Sequence, residues 1–248
     1  VIEEVGKYHD YAVSMRREFH KHPELSWKEV ETAGRIRDEL AGMGIPYEEV
    51  AGTGTIATLK GKEDQPVIGL RCDIDALPIR EVKNLPYSSQ NQGVMHACGH
   101  DAHISMLLTA ARVLAEHQDE LKCTVKLIFQ PAEELTNGAV KVLESGKVGK
   151  LDTVAGMHIF PYLESGTISV DPGPRYTSAS FMNIKIIGKS GHGAMPQYAV
   201  DPIYVGAKVV DALQSIASRE TSPMDTVVVS ICTFHSGTMA NVFAETAE

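Results

Sequence analysis

The chain has 248 residues, of which 43% are hydrophobic, and a formal net charge of -9. Its 23 lysines and arginines are scattered, which excludes a basic stripe for nucleic acid or an anionic membrane, so we expect a small-molecule partner. No apolar run approaches the roughly 20 residues that a membrane span needs. Four widely spaced cysteines favour free thiols in a reducing, cytoplasmic compartment.

Two amphipathic helices are predicted at the start of the chain, before any buried strand. Apolar residues recur at helical spacing over 8–19 and again over 30–40. Ser26 and Glu29 have the spacing of a capping box, which predicts that they cap the second helix. An extended segment is expected at 55–59.

The middle of the chain alternates predicted strands and helices. In order, these are a strand at 66–72, a helix at 101–117, a strand at 123–129, a helix at 138–144 and a strand at 154–159. This order is typical of a mostly parallel α/β sheet, whose ligand sites lie at the carboxyl ends of the strands. We therefore expect the polar residues that follow these strands to lie close together.

The segment 95–103 reads Met-His-Ala-Cys-Gly-His-Asp-Ala-His. It places Cys98 and His100 at the amino terminus of a predicted helix, whose positive end favours the thiolate. An isolated Cys-x-His is more often a buried cysteine beside a capping histidine, but acids and an imidazole at neighbouring strand ends favour a metal site instead. His96 and His103 are more typical of packing or supporting residues and are left out of the predicted ligands.

Two adjacent glutamates, Glu133 and Glu134, come directly after a predicted strand. Adjacent glutamates are usually solvated surface acids. From an extended segment they would point to opposite sides, which suits one carboxylate as a metal ligand and the other as a general base. His158 is the next candidate ligand. Asp73 or Asp75 could be the carboxylate that orients a metal-bound histidine, and the alternative for Asp75 is that it only forms the turn at the end of the strand.

The composition changes at 171–174, which reads Asp-Pro-Gly-Pro and marks a predicted boundary between 1–173 and 174–248. The second part is predicted to contain a strand at 181–188, a helix at 201–219 and a strand at 226–234. This is half of a split α+β unit, so we expect the chain to be the amino-terminal portion of a longer protein. His192 lies in a loop here, where the alternatives are a solvent-exposed histidine and a residue that closes a pocket.

Five motifs follow one another along the chain. They are Arg71-x-Asp73-x-Asp75-Ala-Leu-Pro78, Met95-His-Ala-Cys-Gly-His-Asp-Ala-His103, Gln130-Pro-Ala-Glu-Glu134, Gly156-Met-His158 and Gly191-His-Gly-Ala-x-Pro196. In this order they resemble the aminoacylase, hippurate hydrolase and auxin-conjugate (IAA-amino acid) amidohydrolase branch of the dinuclear-metal carboxypeptidase and deacylase family. The resemblance extends over essentially the whole chain.

The resemblance implies a fold and a domain arrangement. The fold is α/β, with a mostly parallel-sheet catalytic metal-binding domain at 1–173. An inserted α+β, ferredoxin-like lid or dimerisation domain, here incomplete, occupies 174–248. In relatives a last metal-binding histidine comes from a carboxy-terminal segment of the catalytic domain.

The resemblance also implies two divalent metal ions per subunit, zinc or manganese foremost, with nickel or cobalt as further candidates. The implied metal ligands are Cys98, His100, Glu134 and His158. Glu133 is the implied general base and Asp75 orients the site. His192 would polarise the substrate carbonyl or its oxyanion, and Asn241 would contact the substrate.

The implied activity is hydrolysis of the amide bond of N-acyl amino acids or related conjugates, by a metal-activated water and a glutamate base. We expect a homodimer formed through the lid domain. Two alternatives remain. One is a dipeptidase or aminopeptidase of the same family, which must recognise a free amino terminus. The other is a non-catalytic homologue that only binds metal or dimerises.

Overall fold

The computed structural model describes residues 5–176 and 178–248. The chain divides into two compact units, Val1–Gly173, which we call unit 1, and Pro174–Glu248, which we call unit 2. Within the described ranges, none of the helices combines the length and apolarity that a membrane span needs.

Unit 1 contains a five-stranded mixed sheet in the order β1-β2-β4-β3-β5. Its strands are β1 (Tyr47–Val50), β2 (Gly54–Lys60), β3 (Val67–Asp73), β4 (Thr124–Gln130) and β5 (Thr153–Gly156). Strand β3 pairs in parallel with both β4 and β5, whereas the pairs β1–β2 and β2–β4 are antiparallel. Since three strands run in parallel, Asp73, Gln130 and Gly156 end at one edge of the sheet, and the polar loops follow from there.

The described residues of unit 1 also form four α-helices. They are α1 (His9–Lys21), α2 (Val30–Gly42), α3 (His100–Glu116) and α4 (Gly138–Glu144). Strand β4 shows how they cover the sheet: Leu127 and Phe129 face the main core with α1, α2 and α3, while Ile128 faces a smaller core that includes Val142 of α4. The inner strands β2 and β4 are therefore buried on both faces, which explains their nearly continuous apolar sequence.

The predicted helices and strands of unit 1 are confirmed to within a few residues, and β1 is an additional strand that the sequence did not predict. The predicted strand at 154–159 is shorter than expected. Because β5 ends at Gly156, His158 lies two residues beyond the strand.

The predicted capping box is wrong. The carboxylate of Glu24 accepts hydrogen bonds from the backbone N–H groups of Glu31 (3.2 Å) and Thr32 (2.8 Å) at the start of α2. Ser26 and Glu29 instead bond to Asp75 and to the backbone of Ala132. Because both side chains bond to residues that are distant in sequence, neither caps α2. The capping-box spacing of Ser26 and Glu29 therefore did not predict their hydrogen-bond partners.

Unit 2 contains one long helix, α5 (Pro202–Ser215), which continues as a π-helical turn at Ile216–Glu220. Asp201 caps α5 by accepting from the N–H groups of Ile203 (2.9 Å) and Tyr204 (3.3 Å), as its sequence predicts. Four two-residue strands pair as β6 with β9 and β7 with β8. They are β6 (Ile186–Ile187), β7 (Gly191–His192), β8 (Val242–Phe243) and β9 (Thr246–Ala247).

The two long strands predicted in unit 2 are not observed. Of the first, only Ile186–Ile187 is a strand, and none of the described residues at 226–234 belongs to one. Alternating apolar residues predict which side chains share a face, but a strand also needs a neighbour for its backbone hydrogen bonds. No such neighbour is found among the described residues beyond the short pairs above.

Candidate metal centre

Five predicted residues of unit 1 meet at the carboxyl edge of the sheet. Potential ligand atoms of Cys98, His100 and His158 lie within 4.8 Å of one another, and so do those of His100, Glu133 and Glu134. The Sγ of Cys98 is 3.3 Å from Nε2 of His158. Nε2 of His100 is 3.7 Å from Glu134 Oε1 and 4.0 Å from Glu133 Oε2. His100 therefore belongs to both groups, with a thiol and an imidazole in one and two carboxylates in the other.

The hydrogen bonds of the two imidazoles determine which nitrogen is available to a cation. Nδ1 of His100 lies 2.8 Å from the backbone carbonyl oxygen of Asp75. Nδ1 of His158 lies 2.6 Å from the backbone carbonyl oxygen of Ile159. A carbonyl oxygen only accepts, so each Nδ1 carries the hydrogen and each neutral ring presents the lone pair of Nε2 to the cluster. Nε2 of His100 is fully buried and has no hydrogen-bond partner among the described residues.

The charges around His100 favour a cation. Burial by itself lowers the pKa of His100, but its interactions with Asp75, Cys98 and Asp73 together outweigh burial and raise the pKa to about 11. The surrounding acids thus hold a proton on this ring when nothing else supplies positive charge. Nitrogen, sulfur and oxygen donors of this kind are ligands for divalent ions, and a bound ion would take the place of this proton.

Asp75 connects three parts of the cluster. Its Oδ2 accepts from Ser26 Oγ (2.6 Å) and from the N–H of Glu134 (3.0 Å), while Oδ1 lies 3.4 Å from Nδ1 of His100. Burial by itself raises the pKa of Asp75, but these hydrogen bonds outweigh it and hold the pKa below its usual range. Asp75 is therefore ionised near neutral pH and fixes both His100 and the backbone of Glu134.

Glu133 and Glu134 lie in a turn rather than in an extended segment. The expectation that their side chains point to opposite sides is therefore wrong, since both carboxylates lie within 4.0 Å of the same nitrogen of His100. They differ in exposure, with 40% of the Glu133 side chain accessible against 20% for Glu134. Burial raises the pKa of Glu134, and repulsion from Glu133 and Asp75 adds to the effect, although His100 opposes it.

A strained turn produces this arrangement. Ala132 has a φ of 48°, a left-handed conformation that is uncommon for a residue with a side chain. Its N–H donates to Glu29 Oε1 at 2.9 Å, and its carbonyl accepts from the N–H of Gly138 at 3.2 Å. A Cβ atom on Gly138 would lie only 1.7 Å from the carbonyl oxygen of Pro131, so the turn requires glycine there.

Three further residues support the cluster, and of these only His103 was expected from the sequence, as a packing or supporting residue. His103 is buried and hydrogen-bonded to Asp73, Arg71 pairs with Asp73, and Glu29 holds the turn that precedes Glu133. The signal for His103 was its position three residues after His100, which places both on one face of α3. Glu29 carried no such signal, because its spacing suggested a helix cap.

His192 and Asn241 lie together in unit 2. His192 pairs with Val242 between β7 and β8, and the N–H of Gly193 donates to the carbonyl of Asn241 at 2.8 Å. Nδ1 of His192 accepts from the N–H of Ala194 at 3.1 Å, so in the neutral ring the hydrogen is on Nε2. The exposed His192 side chain therefore presents a hydrogen-bond donor.

The sheet and its donor set define an α/β protein with a metal-ligating site at the carboxyl edge of parallel strands. Residues 69–246 match the model described as Peptidase family M20/M25/M40, and the chain belongs to this family. The family resemblance found in the five motifs is thereby confirmed.

Relatives in this family include enzymes that act on amides. An N-acetylcysteine deacetylase of Bacillus subtilis is 46% identical over 97% of this chain and 64% of its own length. An IAA-amino acid hydrolase of Arabidopsis thaliana is 42% identical over 96% of this chain and 54% of its own. The chain therefore spans little more than half to about two thirds of these relatives.

A solved structure confirms the predicted fold class. It is a Bacillus subtilis protein described as a dinuclear metal binding peptidase of the M20 family, with a TM-score of 0.72 and 41% sequence identity. The match covers 98% of this chain and 63% of that chain. The chain thus shares the fold of the corresponding part of that structure.

Proposed function

We propose that the complete protein is a metal-dependent amidohydrolase that cleaves the amide bond of N-acyl amino acids or related conjugates. The observation that carries this proposal is the buried, unpartnered Nε2 of His100, with thiol, imidazole and carboxylate groups on its two sides. The names of the bacterial and plant relatives support the same reaction, since both describe hydrolysis of an amide on an amino acid.

The proposed ligands would hold two divalent ions, as the description of the dinuclear relative suggests. They are Cys98, His100, Glu134 and His158. Thiolate and imidazole donors favour zinc, and manganese, nickel and cobalt are the alternatives to be tested. Bound ions would supply the positive charge that lowers the pKa of a water molecule and polarises the acyl carbonyl.

Glu133 is the proposed general base, because it is the more exposed of the two carboxylates and lies beside the cluster. It takes a proton from the attacking water, and the water oxygen bonds to the acyl carbon. As the C–N bond breaks, Glu133 returns the proton to the leaving amine. A positioned base of this kind contributes about 10²- to 10⁴-fold to the rate.

His192 and Asn241 are the proposed substrate-binding residues of unit 2. The Nε2–H of His192 is the donor that an acyl carbonyl requires as negative charge develops on its oxygen. Asn241 is adjacent to the strand pair that holds His192, which supports a shared role. Substitution of His192 by alanine should lower kcat more than it raises KM.

We further propose a cytoplasmic homodimer that forms through unit 2. The four free cysteines support a reducing compartment. Exposed apolar side chains on α5, such as Tyr204 at 63% and Ile203 at 43%, support an interface there. Light scattering across a concentration series of the wild type and of Tyr204→Glu tests the dimer.

The decisive experiment assays the complete protein on N-acetyl and N-benzoyl amino acids and on free dipeptides, with and without a chelator. We expect cleavage of the N-acylated substrates, loss of activity in the chelator, and a loss of at least about 10²-fold in Glu133→Ala. Glu144→Ala, an exposed glutamate of α4, is the matched control. Full activity of metal-free protein or of Glu133→Ala refutes the mechanism, and a preference for free dipeptides favours a peptidase.

A further inference from the structure

His103 is a buried histidine of α3 whose two ring nitrogens are both engaged. Nε2 accepts a hydrogen bond of 2.9 Å from the backbone N–H of Ile159. Since a backbone N–H only donates, Nε2 carries no hydrogen, and the neutral ring carries its proton on Nδ1. Nδ1 lies 2.6 Å from Asp73 Oδ1 and donates to that carboxylate.

Asp73 is itself held in place by two strands. Its Oδ2 accepts from Nη1 of Arg71 at 2.8 Å, and Nε of the same arginine donates to Gln130 Oε1 at 2.9 Å. Burial by itself raises the pKa of Asp73, but the hydrogen bond from His103 and the charges of its neighbours hold the pKa far below the usual range. A continuous chain of hydrogen bonds thus runs from the end of β4 through β3 and α3 to Ile159.

Ile159 matters because it follows His158. Strand β5 ends at Gly156, so neither residue is fixed by the sheet. Both are exposed, with Ile159 at 41%. The bond from Ile159 to His103 ties this exposed segment to a buried, fully oriented side chain. The rings of His103 and His158 also touch edge to face, with their centroids 4.8 Å apart.

We propose that His103 is a positioning residue that sets the place of His158 by holding the backbone N–H of Ile159. The inference rests on the metal centre proposed above. His103 is not proposed as a metal ligand, although its potential ligand atoms lie within 4.8 Å of those of Asp73 and His100. Its Nδ1 carries the hydrogen and the lone pair of its Nε2 already accepts from Ile159, so no lone pair is free for an ion.

Two substitutions separate the two hydrogen bonds of His103. The amide of His103→Gln reaches the position of Nε2, where its oxygen can accept from Ile159. The amide of His103→Asn reaches only the position of Nδ1, so it retains the bond to Asp73 and loses Ile159. His117→Gln, at the residue that follows the carboxyl end of α3, controls for the removal of an imidazole distant from the metal centre.

The test measures zinc affinity of the complete protein by chelator competition, the visible spectrum of its cobalt form, and its kinetics. We expect His103→Asn to bind zinc about 10- to 100-fold more weakly, with a changed cobalt spectrum, and His103→Gln to stay within about threefold of the wild type. Excess metal should restore much of the kcat of His103→Asn, which a merely structural defect would not allow.

Equal affinities in the two variants, whether both normal or both weakened, overturn the inference. If the wild type and His117→Gln bind metal while His103→Gln and His103→Asn do not differ, the proposed metal centre stands and only the role of His103 is refuted. If the wild type binds no metal, both proposals are refuted. Thermal unfolding of each variant shows whether it is folded at the assay temperature.

Discussion

The carboxylate of Glu29 accepts a 2.9 Å hydrogen bond from the backbone N–H of Ala132, across 103 residues of sequence. Glu29 is fully buried, and its second oxygen accepts from Thr53 Oγ1 at 2.7 Å. A buried carboxylate is costly to desolvate, and this one holds a left-handed residue immediately before Glu133. Glu29 therefore stabilises the turn that carries Glu133, the proposed base, and Glu134, a proposed ligand.

Replacing Glu29 by leucine should lower both stability and activity. It leaves the N–H of Ala132 buried without a partner, at a cost of about 1–3 kcal/mol, and frees the turn to relax. Glu29→Gln retains an acceptor for Ala132 and should behave much like the wild type. Urea denaturation and kcat measure the two effects. Thr53→Val, which removes only the other bond, is the control, and a kcat for Glu29→Leu equal to that of Thr53→Val would contradict the prediction.

Gly138→Ala tests the same turn from its other side. The new Cβ would meet the carbonyl oxygen of Pro131, so we expect destabilisation of about 3 kcal/mol and a loss of activity. A Cβ atom added to Gly34, inside α2, would meet no neighbouring element within 4 Å. Gly34→Ala should instead stabilise the protein by about 0.5–1 kcal/mol. Similar effects of the two substitutions on the unfolding midpoint would show that the turn can adjust.

The cluster itself was predictable because its members follow elements with clear patterns. Cys98 and His100 lie at the amino terminus of a helix of regular apolar period, and Glu133 and His158 follow strands of the sheet. Parallel strands end at one edge of a sheet, so residues distant in sequence were expected to meet. The same reasoning did not predict the side on which Glu133 lies, since that depends on the strained backbone of Ala132.

The supporting residues were harder to predict for a physical reason. His103 and Glu29 each bond to a backbone N–H, that of Ile159 and that of Ala132. Every residue except proline has such a donor, so no side-chain pattern marks the partner. In unit 2 the helix could be predicted from its cap and apolar face, whereas the long strands could not, because pairing depends on neighbours that the pattern does not reveal.

Zinc should stabilise the metal-free protein against heat. A ligand present at 100 times its Kd that binds only the folded state adds about 2.7 kcal/mol to the free energy of unfolding. Cys98→Ser replaces the thiolate beside His158 and should lose most of this increment. Cys232→Ser, at an exposed cysteine of unit 2, should retain it. Calorimetry of chelator-treated and zinc-loaded samples gives the comparison, and an unchanged increment in Cys98→Ser would rule out that ligand.

His20 should make stability fall as the pH rises. Its Nδ1 lies 2.8 Å from Asp101 Oδ2 and its Nε2 lies 3.3 Å from Glu81 Oε1, so both nitrogens donate when the buried ring is protonated. The hydrogen bond with Asp101 raises the pKa of His20, although burial opposes the shift.

Since the folded state binds this proton more tightly, the contribution of His20 is fully present below the unfolded pKa of about 6.5. It is lost as the pH rises through the higher folded pKa. The free energy of unfolding of His20→Gln, relative to the wild type, should therefore be most reduced at about pH 5.5, one unit below the unfolded pKa, and less reduced in alkaline solution. His22→Gln, which removes a partly exposed imidazole at the end of the same helix, is the comparison variant. Urea titrations at several pH values measure both differences, and a deficit for His20→Gln that grows with pH would reverse the assigned sign.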